Sequence, residues 1–136
     1  MTGYSGTPLL KKLGFNPPLT ILAVDAPLEY RSWLGVLPPG VRIVSKTGKP
    51  LRAVHLFVTR RAKLQKDLSR YRRQLEPNGY VWISWPKKAA KVDTDITEDT
   101  IREVALPLGF VDIKVCAVSD VWSGLKIVIR KSARQA

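Results

Sequence analysis

The residues best placed to hold a charged ligand are Thr59-Arg60-Arg61, which follow an apolar run and open a helix. Free N–H groups and the dipole at a helix start favour an anion. Two arginines in a first turn are not what the dipole itself selects, so they serve a bound anion or pair with a carboxylate such as Asp25. Lys87, Lys88 and Lys91 lie in the polar loop after the next strand and could close over the same edge; loops of this kind often carry function. A second basic feature is the stripe Lys63, Lys66, Arg70 and Arg73, on the side of the helix opposite its apolar face. Such a stripe can track a nucleic-acid backbone without reading sequence. No helix-turn-helix, zinc-finger or RNA-recognition signature accompanies it.

Other chemically capable residues read as structural. His55 is the only histidine and lies inside an apolar strand, as a core histidine would. Cys116 has no second thiol, and its strand context suits a small buried side chain. Asp93, Asp95, Glu98 and Asp99 precede a helix, where capping and dipole stabilisation explain them. Ser123-Gly124 reads as a bulge, and Trp82 and Trp85 as core on opposite faces of one strand. The segment Tyr4-Ser5-Gly6-Thr7 reads as a helix cap or as a donor of N–H groups to an anion. No Ser/His/Asp, Cys/His or metal-spaced set emerges, so the sequence assigns no catalytic residue, metal or cofactor.

The elements that must position these groups alternate. A short helix follows Thr7-Pro8 and ends at Gly14, and Asn16-Pro17-Pro18 hands over to a first strand, Leu19 to Val24. A helix runs from Pro27 to Leu34, and a second strand covers Val41 to Val44. The third strand, Ala53 to Val58, is a nearly continuous apolar run of the kind buried on both faces. Thr59 caps a helix from Arg60 to Leu75 whose Leu64, Leu68, Tyr71 and Leu75 share one face. The fourth strand is Tyr80 to Trp85, followed by a helix carrying Ile101, Val104, Ala105 and Leu108 and closed by Gly109. Val111 to Val118 and Val121 to Arg130 then form a hairpin. The pattern predicts an α/β fold: a Rossmann-like mixed sheet of about six strands ending in an antiparallel hairpin.

The chain of 136 residues reads as a single domain over 1–131 with a short tail, 132–136. No apolar run approaches the length needed to cross a bilayer, and the N-terminus lacks the pattern of a signal peptide, so a cytoplasmic location is expected. With 23 Lys+Arg against 11 Asp+Glu, the formal net charge of +12 attracts polyanions or reflects a basic proteome.

The turn after the first strand is where a nucleotide-binding domain carries G-x-G-x-x-G, and this chain has Asp25-Ala26-Pro27-Leu28-Glu29-Tyr30. The element order, together with Leu75-Glu76-Pro77-Asn78-Gly79 and Gly109-Phe110, resembles the class I S-adenosylmethionine-dependent methyltransferase fold. That fold's glycine turn is missing, and its ribose-gripping acid at the end of the second strand is replaced by Ser45-Lys46. One helix and one strand are also missing between the second and third strands. Tyr4-Ser5-Gly6-Thr7-Pro8-Leu9, Lys12-Leu13-Gly14, Val115-Cys116-Ala117-Val118 and Trp122-Ser123-Gly124-Leu125-Lys126 look like a small bacterial family of unknown function. The segments Asp95 to Asp99 and Arg102 to Gly109 are similar to it too. That resemblance implies a fold and no activity.

These features give a leading reading and two alternatives. The first is a non-catalytic domain that binds an anionic, phosphate-bearing small molecule or partner through Thr59, Arg60, Arg61, Lys87 and Lys88, with Asp25 orienting an arginine. The others are a divergent S-adenosylmethionine-dependent methyltransferase and a nucleic-acid accessory protein using the stripe from Lys63 to Arg73.

Overall fold

Six strands form one sheet in the order β2-β1-β3-β4-β6-β5, in a computed structural model that describes residues 7–46, 48 and 50–134. β1 (Leu19–Val24), β2 (Val41–Val44), β3 (Leu51–Phe57) and β4 (Leu75–Pro86) run parallel. β6 (Trp122–Ile129) lies antiparallel between β4 and β5 (Phe110–Ala117). The mixed sheet with its terminal hairpin is the architecture that the alternating pattern predicts.

Period-two alternation divides the core into two layers. Val54 and Leu56 of β3, with Val81 and Ile83 of β4, pack against Leu64 and Leu68 of α3 (Arg61–Arg72) and Ile101 and Val104 of α4 (Glu98–Ala105). Ala53, Phe57 and Trp82 face the opposite way, toward Leu9 of α1 (Leu9–Lys12), Leu13 at its C-cap, and Tyr30 and Leu34 of α2 (Tyr30–Leu34). Trp82 and Trp85 are buried in different layers, as their opposite parity requires. The Trp82 indole N–H donates to the Leu13 carbonyl at 2.9 Å and anchors the end of α1.

Several expected boundaries move. α1 has Pro8 at its N-cap, so Thr7 is not the cap residue. α2 begins at Tyr30, because Pro27 starts a turn closed by Tyr30 N–H on the Pro27 carbonyl. α3 stops at Arg72: Leu75 pairs with Leu51, so β pairing takes the last residue of the expected apolar helix face. The hairpin's bulge lies in β5, between Asp112 and Lys114, and not at Ser123-Gly124. Gly124 is in register with both neighbours, and a Cβ there would come within 3.0 Å of Val118 and 3.3 Å of Trp82. Close packing, not a bend, explains that glycine.

β2 and β3 are parallel and lie on opposite sides of β1, yet only residues 45–50 join them. A crossover between parallel strands ordinarily takes a dozen or more residues and a helix. Here the missing helix leaves β1 and β2 thinly covered on the α3 side, where Thr20, Leu22, Arg42, Val44 and Lys46 line a hollow of about 460 Å³. β1 is thus the strand from which successive connections diverge, and its carboxyl end is the topological switch point of the sheet.

Candidate functional site: the switch-point cleft

Asp25 follows the last residue of β1 and adopts a left-handed backbone with φ of 57°. That conformation is uncommon outside glycine, asparagine and aspartate, and such outliers concentrate at functional turns. It keeps the left-handed turn that a glycine would otherwise supply. Beside it lies a cleft of about 520 Å³ between the β1–α2 turn and the end of β2, lined by Ala23, Asp25, Ala26, Tyr30, Ile43 and Ser45 among others. Volume and position suit a small-molecule site. Ala23, Ala26 and Ile43 give it apolar walls, and Ser45 supplies a hydroxyl that both donates and accepts. Arg31 braces its rim by donating to the Ile43 carbonyl at 2.9 Å.

Asp25 does not orient an arginine. Its carboxylate pairs with Lys63 of α3 at 2.8 Å, and Lys63 also holds Asp67 at 2.6 Å. Hydrogen bonds to Asp25 and then Asp67 push the Lys63 ammonium above its ordinary value. The pair ties the β1 turn to the first helical turns of α3.

Behind the cleft, Tyr30 reaches into the core. Its hydroxyl lies 2.8 Å from His55 Nδ1, and His55 Nε2 lies 2.7 Å from Ser84 Oγ. The imidazole is fully buried and stacks on Phe57 at 4.3 Å. Burial holds His55 neutral, down to about 3, and pushes the Tyr30 phenol up. His55 is therefore the satisfied core histidine expected of it. The missed feature is the column it forms, linking the β1–β2 connection to β4. No local spacing announces it: β3–β4 pairing brings His55 near Ser84, and packing of α2 on the sheet adds Tyr30.

The start of α3 is occupied by the protein's own acids. Arg60 is the N-cap residue and pairs with Asp93, while Arg61 pairs with Glu103 at 2.5 Å. Asp95 Oδ1 accepts from the Arg61 backbone N–H at 2.7 Å, taking the place of a bound anion. Thr59 makes no side-chain cap; its carbonyl accepts from Thr94 Oγ1 at 2.7 Å and from the Asp95 N–H. The expectation that Asp93 and Asp95 serve α4 is corrected accordingly. Glu98 and Asp99 do lie in α4's first turn and pair with Arg102, and Thr97 with Thr100 forms a capping box there. Lys88 opens a short 3₁₀ turn, Lys88–Ala90, that ends at Lys91, while the Lys87 N–H donates to Val121 in the hairpin.

The basic stripe of α3 is divided. Lys63 is committed to its two carboxylates, and the Arg70 guanidinium lies 5.5 Å from the Tyr71 ring. Lys66 and Arg73 are exposed. Tyr4, Ser5 and Gly6 fall outside the described residues.

No family model and no curated protein matches the chain. Solved structures do resemble it. Magnesium protoporphyrin IX methyltransferase (ChlM) from Synechocystis PCC 6803 with bound SAM aligns over 90% of this chain and 74% of its own, with TM-score 0.58 and 12% identity. Precorrin-6y C5,15-methyltransferase from Geobacter metallireducens GS-15 aligns over 95% and 94%, with TM-score 0.56 and 9% identity. LepI in complex with SAM aligns at TM-score 0.55 and 13% identity over 90% of this chain, which spans only 39% of LepI. At such identities the likeness is one of architecture, and the chain has a methyltransferase-type α/β fold with a shortened β2–β3 connection.

Proposed function

We propose that this chain is a divergent S-adenosylmethionine-dependent methyltransferase domain, with the cofactor's nucleoside in the cleft at the carboxyl ends of β1 and β2. The observation that carries the reading is that cleft: about 520 Å³, at the switch point, beside a left-handed turn at Asp25. Structural neighbours include methyltransferases solved with bound SAM or SAH. The anion-site reading loses its donors, because Asp93, Asp95 and Glu103 already satisfy Arg60, Arg61 and the helix start.

The lining fits a nucleoside in part. Ala23, Ala26 and Ile43 offer small and apolar surface to a base, and Ser45 stands at the end of β2, where it can hydrogen-bond a ribose hydroxyl. A neutral hydroxyl grips a diol less firmly than a carboxylate would. When bound, such a cofactor would supply an electrophilic methyl group, and the domain's contribution would be to hold it in line with an acceptor.

Calorimetric titration with the cofactor and its demethylated product tests the reading. Saturable binding, lost in Ala26→Trp while that variant keeps its circular dichroism spectrum, is the expected result. No heat and no thermal stabilisation at millimolar concentrations of either compound would overturn it.

A further inference from the structure

The positive charge of this molecule is unevenly compensated. Every ion pair among the described residues uses Arg60, Arg61, Lys63 or Arg102, so each has its cation on α3, at its N-cap or on α4, with Asp25 after β1 and Asp112 of β5 reaching in from outside those helices. The face of the hairpin covered by α1 is different. Lys114 of β5 and Lys126 of β6 are directly opposed across the antiparallel pair. Like charges in that register repel. Neither meets a carboxylate within ion-pairing distance among the described residues.

Their contacts hold them in place without neutralising them. The Lys126 ammonium sits 4.3 Å from the Tyr80 ring centroid, half-buried, and burial followed by repulsion from Lys114 lowers its proton affinity. Lys114 Nζ donates to the Lys12 carbonyl at 2.9 Å, at the end of α1. Lys12 brings its own ammonium to the same seam, 3.5 Å from the Ala117 carbonyl. Two opposed lysines, kept where they repel, are a feature that an external polyanion would relieve.

We propose that the face formed by α1 and the β5–β6 hairpin docks the phosphodiester backbone of a nucleic acid, with Lys114 and Lys126 as the principal phosphate contacts. Charge complementarity selects the partner, and the surroundings favour nucleic acid over a lipid surface. The two most exposed large apolar residues, Leu28 and Val36, lie in the β1–β2 connection, away from the hairpin. Val115 alternates with Lys114 along β5 and projects from the other face. This surface stands independently of the cofactor reading and replaces the helical stripe as the site of a nucleic-acid partner.

Fluorescence anisotropy with a short labelled single-stranded RNA tests it, using Lys114→Gln/Lys126→Gln against Lys66→Gln/Arg73→Gln. Both variants remove two charges and keep most of each side chain. On the proposal the hairpin variant flattens the logarithmic salt slope by about 1.4, so the affinity lost between about 50 and about 200 mM salt shrinks by about sevenfold. The α3 variant leaves the slope unchanged. If loss of the Lys126–Tyr80 contact unfolds the double variant, Lys114→Gln alone is expected to flatten the slope by about half as much. Equal losses in the two double variants would reduce the effect to net charge and overturn the proposal. It is equally overturned if the protein ignores RNA at low salt, or ignores RNA but binds phosphatidylserine-containing vesicles through these lysines.

Discussion

Single residues carry the sharpest consequences. His55 ionises near 6.5 in an unfolded chain and is held down to about 3 by burial in the folded one. As pH falls below about 6.5 the unfolded chain takes up a proton that the folded chain refuses. This contribution is therefore complete above that pH and is lost progressively toward pH 3, by up to about 5 kcal/mol. Urea unfolding between neutral pH and pH 4 should show the decline, and His55→Gln should flatten it; equal slopes in both proteins would exclude His55 as the cause. Ser45 offers a gain-of-function measurement. Ser45→Asp restores an acid at the end of β2 and should tighten nucleoside-cofactor binding by about tenfold, because charge-assisted hydrogen bonds are roughly twice as strong as neutral ones. The same titration, finding unchanged or weaker affinity, would place the ribose elsewhere.

Among the elements, the start of α3 shows how an anion-binding feature can be satisfied from within. The β4–α4 loop folds back so that Asp95 accepts the Arg61 N–H, Asp93 meets Arg60, and Thr94 and the Asp95 N–H meet the Thr59 carbonyl. Removing the acid should open the helix start: Asp95→Ala is expected to cost about 1 kcal/mol, the usual effect of losing a cap acceptor. Denaturant unfolding would read that loss, and added phosphate should partly restore it by occupying the vacated N–H groups. No phosphate dependence would show that the helix start cannot take an external anion. The strand and helix pattern was legible in the sequence because apolar periodicity and the Pro and Gly punctuation agree. The partners of Arg60 and Arg61 were not, since Asp93, Asp95 and Glu103 stand more than 30 residues further along the chain.

For the whole molecule, the sheet keeps a methyltransferase-type order while joining β2 to β3 with only residues 45–50. Ion pairing is segregated across it: the paired cations among the described residues belong to α3, its N-cap and α4, while Lys114 and Lys126 oppose each other on the α1 side. Behaviour on a polyanion column should therefore depend on where charge is removed. Lys114→Gln/Lys126→Gln should leave immobilised heparin at lower salt than Lys66→Gln/Arg73→Gln, although both carry the same net charge, two below +12. Co-elution would mean that the column senses only the total.

The sequence by itself determined the class of fold, the order of its elements, the placing of Trp82 and Trp85 on opposite faces of one strand and the absence of a glycine turn. These follow from local patterns, because side-chain parity in a strand and spacing on a helix are set by backbone geometry within a few residues. Only the tertiary structure decided which charges remain uncompensated. Asp25 went to Lys63, Arg60 to Asp93 and Arg61 to Glu103, while Lys114 and Lys126 met each other. Ion pairing depends on distances across strands and helices far apart in the chain, and no local spacing encodes them.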